Sequence, residues 1–569
     1  MKKICLILIL LFPQLPLSVL FAASAADSLQ PLRDLIRNAA AQKAKYVKLP
    51  PGIYRCDVDP AAPDAHLALR NLENLEIDGT GVELICTQYL KPAAAISLLN
   101  CRNVKLKGFT IDADPLCFTQ GKIINIAPDY SYYDLQVDPG YAEPDFFVRG
   151  LGRPLNIFDP VTRNWKNGVA DLGIGKLEKL SDRVWRLYMR TAKSQKFNIV
   201  IGDLGVLCGK GGCAVSARNC ANLTYEKITI YQSGIMAFHE HGGHGNTHIV
   251  DCKVTRRPGT DRLISTNADG FHCKNMRHGP TIENSSFQYM MDDGTNIHGM
   301  FGRVAGGAGT TWQLIPRYEN NLLPGDTLEF YDAANFRIIA KAKIVDSVPL
   351  KKLPEAELKK YFGKFSSLGY VRQITLDTPI KVTPGDSFMN LNACGAGFAI
   401  RNCTYGPLRY RGLLIRTLNG EINNNHFQAT GSGAIHLETD FRCDGEGPYA
   451  KNIRITGNRF EQIGSLPGWD KGCGIFVCNF NWPEPQHPDL SKINQDLVIT
   501  DNQFDTTAND AIHVEHAERV EIINNQIRNT GARNLNPHYT PIPIRVKSTS
   551  EVRENGNRIE KNEKMTGNR

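Results

Sequence analysis

The chain has 569 residues, of which 42% are hydrophobic and 22% charged, and its formal net charge is +8. A balance this mildly basic, spread over so long a chain, is weak evidence for an anionic glycan and no argument for nucleic acid. Past the first residues no stretch is long and apolar enough to span a membrane.

Taken in order, the chain opens with an export signal. Lys2 and Lys3 precede an apolar run from Ile4 to Phe12, and small residues follow at Ala22 to Ala26. Pro13, Gln14 and Pro16 interrupt the run too early for a membrane anchor. Cleavage is expected near Ala25 or Ala26, which gives residues 1–26 as signal peptide and a secreted or periplasmic bacterial protein. Residues 28–45 then predict a capping helix over the open end of a solenoid.

A repeat governs the rest. NLEIDG from Asn74, NVKLKGFTI from Asn103, NLTYEKITI from Asn222, THIVDCKV from Thr247 and PTIENSSF from Pro280 share one internal order, as do GEINNNHF from Gly420, NIRITGNRF from Asn452, DLVITDNQF from Asp496 and RVEIINNQI from Arg519. Each is a short strand, an Asn or Gly corner, then an apolar residue opening the next strand. Equivalent apolar positions lie 33 residues apart from Ile249 to Ile282 and from Ile422 to Ile455, and 23 apart from Ile499 to Ile522. Such spacing is one coil of a solenoid, with loops of varying length at its corners. Asn at those corners suits a left-handed backbone conformation or stacked side chains. Short strands without intervening helical patterns predict an all-β, right-handed parallel β-helix.

Two stretches break the repeat with longer alternating runs, and both are expected to be small inserted β-barrels. The predicted organisation is 27–120 for the cap and first coils, 121–210 for the first insertion, 211–301 for the central coils, 302–392 for the second insertion and 393–569 for the last coils and tail. Of 15 cysteines, Cys101, Cys220, Cys252 and Cys403 fall in recurrent settings that suggest buried small residues at an equivalent place in the repeat. Cys208 with Cys213 and Cys473 with Cys478 are the pairs to check for bonding, and neither shows the ligand pattern of a closed zinc site.

Between the insertions, residues 266–299 carry the densest chemical signal. Asp269 and Asp292 are 23 residues apart, one coil, so with Asp293 they are expected to share one face of the helix. Crowding carboxylates raises the pKa of one member, which lets an acid and a base coexist near neutral pH. Glycoside hydrolysis needs that pair, one to protonate the leaving oxygen and one to activate water or attack the sugar. Any single Asp here could be an ordinary corner residue, as Asp510 is read to be; three together, flanked by Asn267, His272, Asn296 and His298, point to catalysis. Those four are candidate substrate-binding residues. His239, Glu240, His241 and His244 lie one coil earlier, and Glu240 is expected to extend the cleft. Further on, Arg411 can grip hydroxyls, Glu438 adds an acceptor and Trp469 can stack on a sugar face. Arg409 is read as either a cleft or a structural residue. No metal site is expected, because the histidine spacing matches no strong motif.

The order N-x-D-G-F-H, I-E-N-x-x-F, D-D-x-x-N-I-H-G, an insertion, then R-x-R-G-L-L-I and E-I-N-N-N-x-F resembles glycoside hydrolase family 110 over nearly the whole chain. The resemblance implies an inverting exo-α-galactosidase acting on terminal α-1,3-linked galactose, with Asp269, Asp292 and Asp293 as catalytic aspartates, an oligosaccharide or polysaccharide substrate and no cofactor. FRCDGEGPYAKN from Phe441 departs from the W-x-E-S-G expected there, although Asp444 and Glu446 keep acidic groups nearby. Polygalacturonases share N-x-D and D-D, but carry R-I-K soon after; here the similar triplet, Arg545 to Lys547, lies about 250 residues later. The alternatives are therefore a polygalacturonase-like hydrolase of an acidic polysaccharide, or a non-catalytic glycan-binding β-helix. A lyase would want a Lys or Arg base beside Ca²⁺-binding acids, which this cluster does not offer.

Overall fold

The computed structural model describes residues 28–87, 92–147, 154–190, 197–317, 322–362, 369–441, 445–467, 472–480, 493–536 and 538–560. The expected signal segment and its cleavage site lie outside the described residues. Among those described, no helix is long and apolar enough to cross a membrane.

Each coil of the main body contributes three short strands. The first two of every coil join a 24-stranded sheet that bends around the solenoid, and the third joins a 12-stranded sheet. Pairing from coil to coil is parallel, so the body is the expected right-handed parallel β-helix. Register follows the sequence spacing: Ile249 pairs with Ile282, Ile422 with Ile455 and Ile499 with Ile522. The helix Gln30–Ala41 caps the first coil, burying Leu32, Arg33, Ile36 and Ala39 on one face. Arg33 donates from Nη2 to the carbonyl of His66 at 2.7 Å, tying the cap to a strand below it.

Two ladders hold the coils in register. Inside, Phe287, Tyr405, Phe427, Phe460 and Phe504 stack face to face, with centroids 5.2, 5.3, 5.1 and 4.4 Å apart and ring planes within 12°. Those steps approach the ~4.8 Å rise of a parallel rung. At one corner, Asn425, Asn458, Asn502, Asn525 and Asn557 form a second column, each carboxamide oxygen accepting from the backbone and side-chain nitrogens of the residue before it. The recurrent cysteines occupy the same column further up: the backbone nitrogen of Cys101 faces Cys220 Sγ at 3.4 Å, and that of Cys403 donates to Asn425 Oδ1 at 2.9 Å. They are buried small residues at an equivalent place, and Cys208, Cys213, Cys473 and Cys478 are likewise buried as thiols. The preceding residues, among them Asn100, Asn219, Asn402, Asn424 and Asn524, adopt φ near +55°, as a sharp corner requires.

The insertions differ from each other. The second leaves after the strand Thr295–Met300 and folds Gly302–Ala308, Thr311–Ile315, Thr327–Tyr331, Ile338–Lys352, Tyr370–Leu376 and Ser387–Asn390 into a closed antiparallel barrel. The first, spanning Phe118–Ile126 to Leu204–Cys208, is a six-stranded sheet whose ladders do not close. A two-way bridge, Leu155 to Leu172, joins the stretches preceding its two edge strands and curls the sheet round on itself. Its Asn156 and Asp171 are gripped by Arg409, which also donates to the carbonyl of Met291 at 3.0 Å. Arg409 thus fastens the insertion to the coil that carries the aspartates.

Candidate active site

Strand alternation decides which side chains face out. In Phe271–Lys274, Phe271 and Cys273 point into the core, so His272 and Lys274 point outward. Parallel register then stacks His239, His272 and Asn296 in one outward column, and His241, Lys274, His298 and Arg416 in the next. The strands that open at Phe271, Thr295 and Leu413 are each preceded by a Gly corner. Gly270 donates its backbone N–H to the carbonyl of Asp293, and Gly294 donates to that of Arg411. Asp269, Asp293 and Arg411 therefore form a third column at the corners. Glycine is required after each acid: a Cβ on Gly270 would lie 2.5 Å from the carbonyl oxygen of Gly294, and one on Gly294 would lie 2.5 Å from Tyr405 of the aromatic ladder.

The coil here is one residue longer than the spacing of Asp269 and Asp292 implies. Phe271 pairs with Thr295, so Asp293 is the residue in register with Asp269, and Asp292 flanks them. All three meet nonetheless: one carboxylate oxygen of each lies within 4.8 Å of the others. Asp269 and Asp293 are 5% and 3% exposed, whereas Asp292 is half-buried.

Burial, then the neighbouring charges of Asp292 and Asp269, push the carboxyl of Asp293 well above the ordinary range, against the pull of Arg411. Arg411 sits 3.2 Å from Asp293 Oδ2 and 3.1 Å from Glu438 Oε1. Beyond it, Arg416 donates from Nε to the carbonyl of Glu438 at 2.8 Å and pairs with Glu446. Burial pushes the Glu446 carboxyl up, but the nearby cations, the His298 ring in its protonated form and the Arg416 guanidinium foremost, outweigh it and hold the group at about 2. On the other flank, His272 Nδ1 lies 2.6 Å from Asp269 Oδ2 and its Nε2 lies 3.0 Å from His298 Nε2. The site is thus a ring of contacts running Asp269, His272, His298, Glu446, Arg416, Glu438, Arg411 and Asp293.

Two expected members turn away from the site. Glu240 shares its strand face with Phe238 and points into the solenoid, 1% exposed, accepting from Tyr225 Oη and Thr247 Oγ1 at 2.8 Å each. It does not extend the cleft, because two residues along a strand from a core phenylalanine is again the core. Asn267 is also turned inward, its Nδ2 donating to the carbonyls of Cys117 and Gly209 at 2.8 and 3.0 Å. It pins the corner before Asp269. Asn296 does face the site, and its buried Oδ1 has no hydrogen-bond partner. Trp469 and Asp444 lie outside the described residues.

Arg416, Lys274 and Tyr410, whose ring centre lies 4.3 Å from the Arg411 guanidinium carbon, were not singled out from the sequence. Alternation along L-L-I-R after Arg411 was the signal that could have found Arg416. A second Asp-x-x-His pair, Asp510 with His513 at 3.1 Å, recurs in the C-terminal coils. There Arg545 Nε and the backbone nitrogen of Ile542 each approach Asp510 at 2.7 Å, closing it off. Neither acidic group lacks positive charge, since Arg411 meets one and Arg545 the other.

No family model matches the chain. Among curated proteins it is similar to an alpha-1,3-galactosidase B of Bacteroides thetaiotaomicron, 25% identical over 425 residues, covering 69% of this chain and 64% of that protein. The match therefore spans a little under two thirds of that relative's length. Alpha-1,3-galactosidases B of Phocaeicola vulgatus and Parabacteroides distasonis match at 23% and 22% identity over 84% and 85% of the chain, and 81% and 82% of their own lengths. Among solved structures, an exopolygalacturonase of Thermotoga maritima matches over 93% of this chain and 88% of its own, at 11% identity and a TM-score of 0.36.

Proposed function

We propose that this protein is an exported glycoside hydrolase that releases terminal α-1,3-linked galactose from a glycan, with inversion. The observation that carries the hydrolytic reading is the meeting of Asp269, Asp292 and Asp293 on the outward face of adjacent coils, charge-compensated by Arg411. One carboxyl of the group protonates the leaving oxygen while another takes the proton of the attacking water. An inverting pair is usually about 6.5–9.5 Å apart, wider than the closest approach here. With three carboxylates, water can lodge beside two neighbours rather than between acid and base. The galactosyl specificity rests on the resemblance to alpha-1,3-galactosidases over most of the chain.

The uronan alternative is disfavoured by Arg545, which pairs with His513 five rungs beyond the strand Thr295–Met300, about 24 Å at ~4.8 Å per rung. The test is release of free sugar from α-1,3-galactobiose, a branched blood-group-B-type trisaccharide and polygalacturonate, with Asp292→Asn alongside and the anomer followed by NMR. β-Galactose released only by the unmodified protein is expected. Release of α-galactose would overturn inversion, and uronate release would overturn the substrate.

A further inference from the structure

The hydrogen bonds around His272 and His298 do not close unless one additional proton is present. His298 Nδ1 lies 3.0 Å from the carbonyl oxygen of Gly299. A carbonyl only accepts, so Nδ1 carries the hydrogen and a neutral His298 presents a bare Nε2. His272 Nδ1 faces Asp269 Oδ2 at 2.6 Å. Donation to an ionised carboxylate leaves a neutral His272 with a bare Nε2 as well. Those two Nε2 atoms are 3.0 Å apart, a hydrogen-bond distance at which two lone pairs repel.

We infer that His272 is an imidazolium in the working enzyme, donating from Nδ1 to Asp269 and from Nε2 to His298, and that its charge holds Asp269 ionised, so that Asp269 is the base and not the acid. His298 is then a positioning residue: it acts through His272 and presents the acceptor that the charged form needs. The inference rests on reading the aspartates as the hydrolytic site.

The added proton belongs to an imidazole rather than to Asp269 because imidazole is the stronger base by about two to three pKa units. Burial, with the charge of His272 acting against that of Glu446, brings His298 down to about 3, so His298 is the neutral ring of the pair. Glu446, 3.6 Å from His298 Nε2, is too far to accept from it but adds negative potential. The other groups facing the pair are Asp292 and Asp293 at the corners, Lys274 on the same strand, His239 with its ring 5.7 Å from that of His272, His241 beside it, and Arg416 on the following coil. Loss of the proton would set two bare nitrogens against each other, and His272 would swing away from Asp269.

Nitrogen-labelled histidine, read by NMR at neutral pH in the whole protein, tests the charge without any substrate. Beside His513, whose two ring nitrogens both face carboxylates, a histidine bearing hydrogen on both nitrogens that is absent in His272→Gln and moved toward neutral imidazole in Asp269→Asn is the expected result. A His272 with one bare nitrogen would overturn the inference. The kinetic arm uses His298→Gln, whose carboxamide can meet either a donor or an acceptor at His272 Nε2. Because that variant accommodates the neutral ring as well as the charged one, its alkaline limb in kcat/KM on α-1,3-galactobiose should move down by about one pH unit or more, at some cost in kcat, and an unmoved limb would also overturn the inference. A protein inert on every galactoside yet showing the doubly protonated ring would remove the proposed activity while supporting the imidazolium.

Discussion

Arg411 forks between two carboxylates on different coils, with Nη1 3.2 Å from Asp293 Oδ2 and Nη2 3.1 Å from Glu438 Oε1. Both acids are almost wholly buried. Arg411→Met should therefore destabilise the protein by about 3–5 kcal/mol, the cost of leaving a buried charge uncompensated. Glu438 retains Arg416 at 3.3 Å, whereas Asp293 loses the one guanidinium that it meets among the described residues and should take up a proton. Arg411→Lys reaches one partner and should recover part of the stability but little of the rate. Urea denaturation beside kcat separates the two effects, and a variant of undiminished stability would contradict the bridging role.

Asp292 offers the cleaner catalytic test because it is the least buried of the three. Asp292→Asn keeps shape and removes one like charge, so thermal stability should hold or rise while turnover falls by about 10²–10⁴-fold. A rate within a few-fold of the unmodified protein would place the chemistry elsewhere.

The coil lengths were legible because the apolar position of one coil recurs in the next with the same corner chemistry; Ile249, Ile422 and Ile499 each found the partner that spacing predicted. The aspartates were legible as a cluster but off by one in register. A D-D pair offers two candidates for one place, and only the backbone pairing of Phe271 with Thr295 selects Asp293. Glu240 was misplaced for a different reason. Its neighbours His239 and His241 do face outward, but Phe238 already marks every second position, Glu240 included, as core. The ring through Arg416 and Glu446 was legible only in its parts, as alternation along L-L-I-R and an acid near Phe441; its closure was not, since Glu446 reaches the site on a short strand antiparallel to Met300, a pairing that no repeat encodes.

The asparagine column predicts where the solenoid is least forgiving. Asn458 Oδ1 accepts from the backbone nitrogen of Asn425 at 2.9 Å and from its Nδ2 at 3.0 Å, while Asn458 Nδ2 donates to the carbonyl of Ile422 at 2.8 Å. Asn458→Ala strands buried donors and an acceptor, each worth about 1–3 kcal/mol when unmade. Asn458→Asp keeps the acceptor but loses the donor and buries a charge, and should be no better. Thermal melts of the two variants check this, and melting temperatures equal to that of the unmodified protein would show that water replaces the column.

Glu240 supplies the pH prediction. Burial raises its carboxyl from 4.5 to about 7, against the lowering effect of hydrogen bonds from Thr247 and Tyr225. Between those values the folded chain holds a proton that the unfolded chain has released. Stability therefore falls as pH rises through that window, by about 3 kcal/mol in all for this group. The contribution is fully present below the unfolded value and gone above the folded one. Glu240→Gln keeps an oxygen to accept from Tyr225 or Thr247 and cannot ionise, so its stability should stay flatter across the same window and exceed that of the unmodified protein near neutral pH. Because the side chain faces the core and not the aspartates, kcat should be unchanged. Melting temperature against pH for both proteins, with galactose release at one pH, decides it: parallel curves would mean that Glu240 is not the buried acid, and a lost rate would put it back in the cleft.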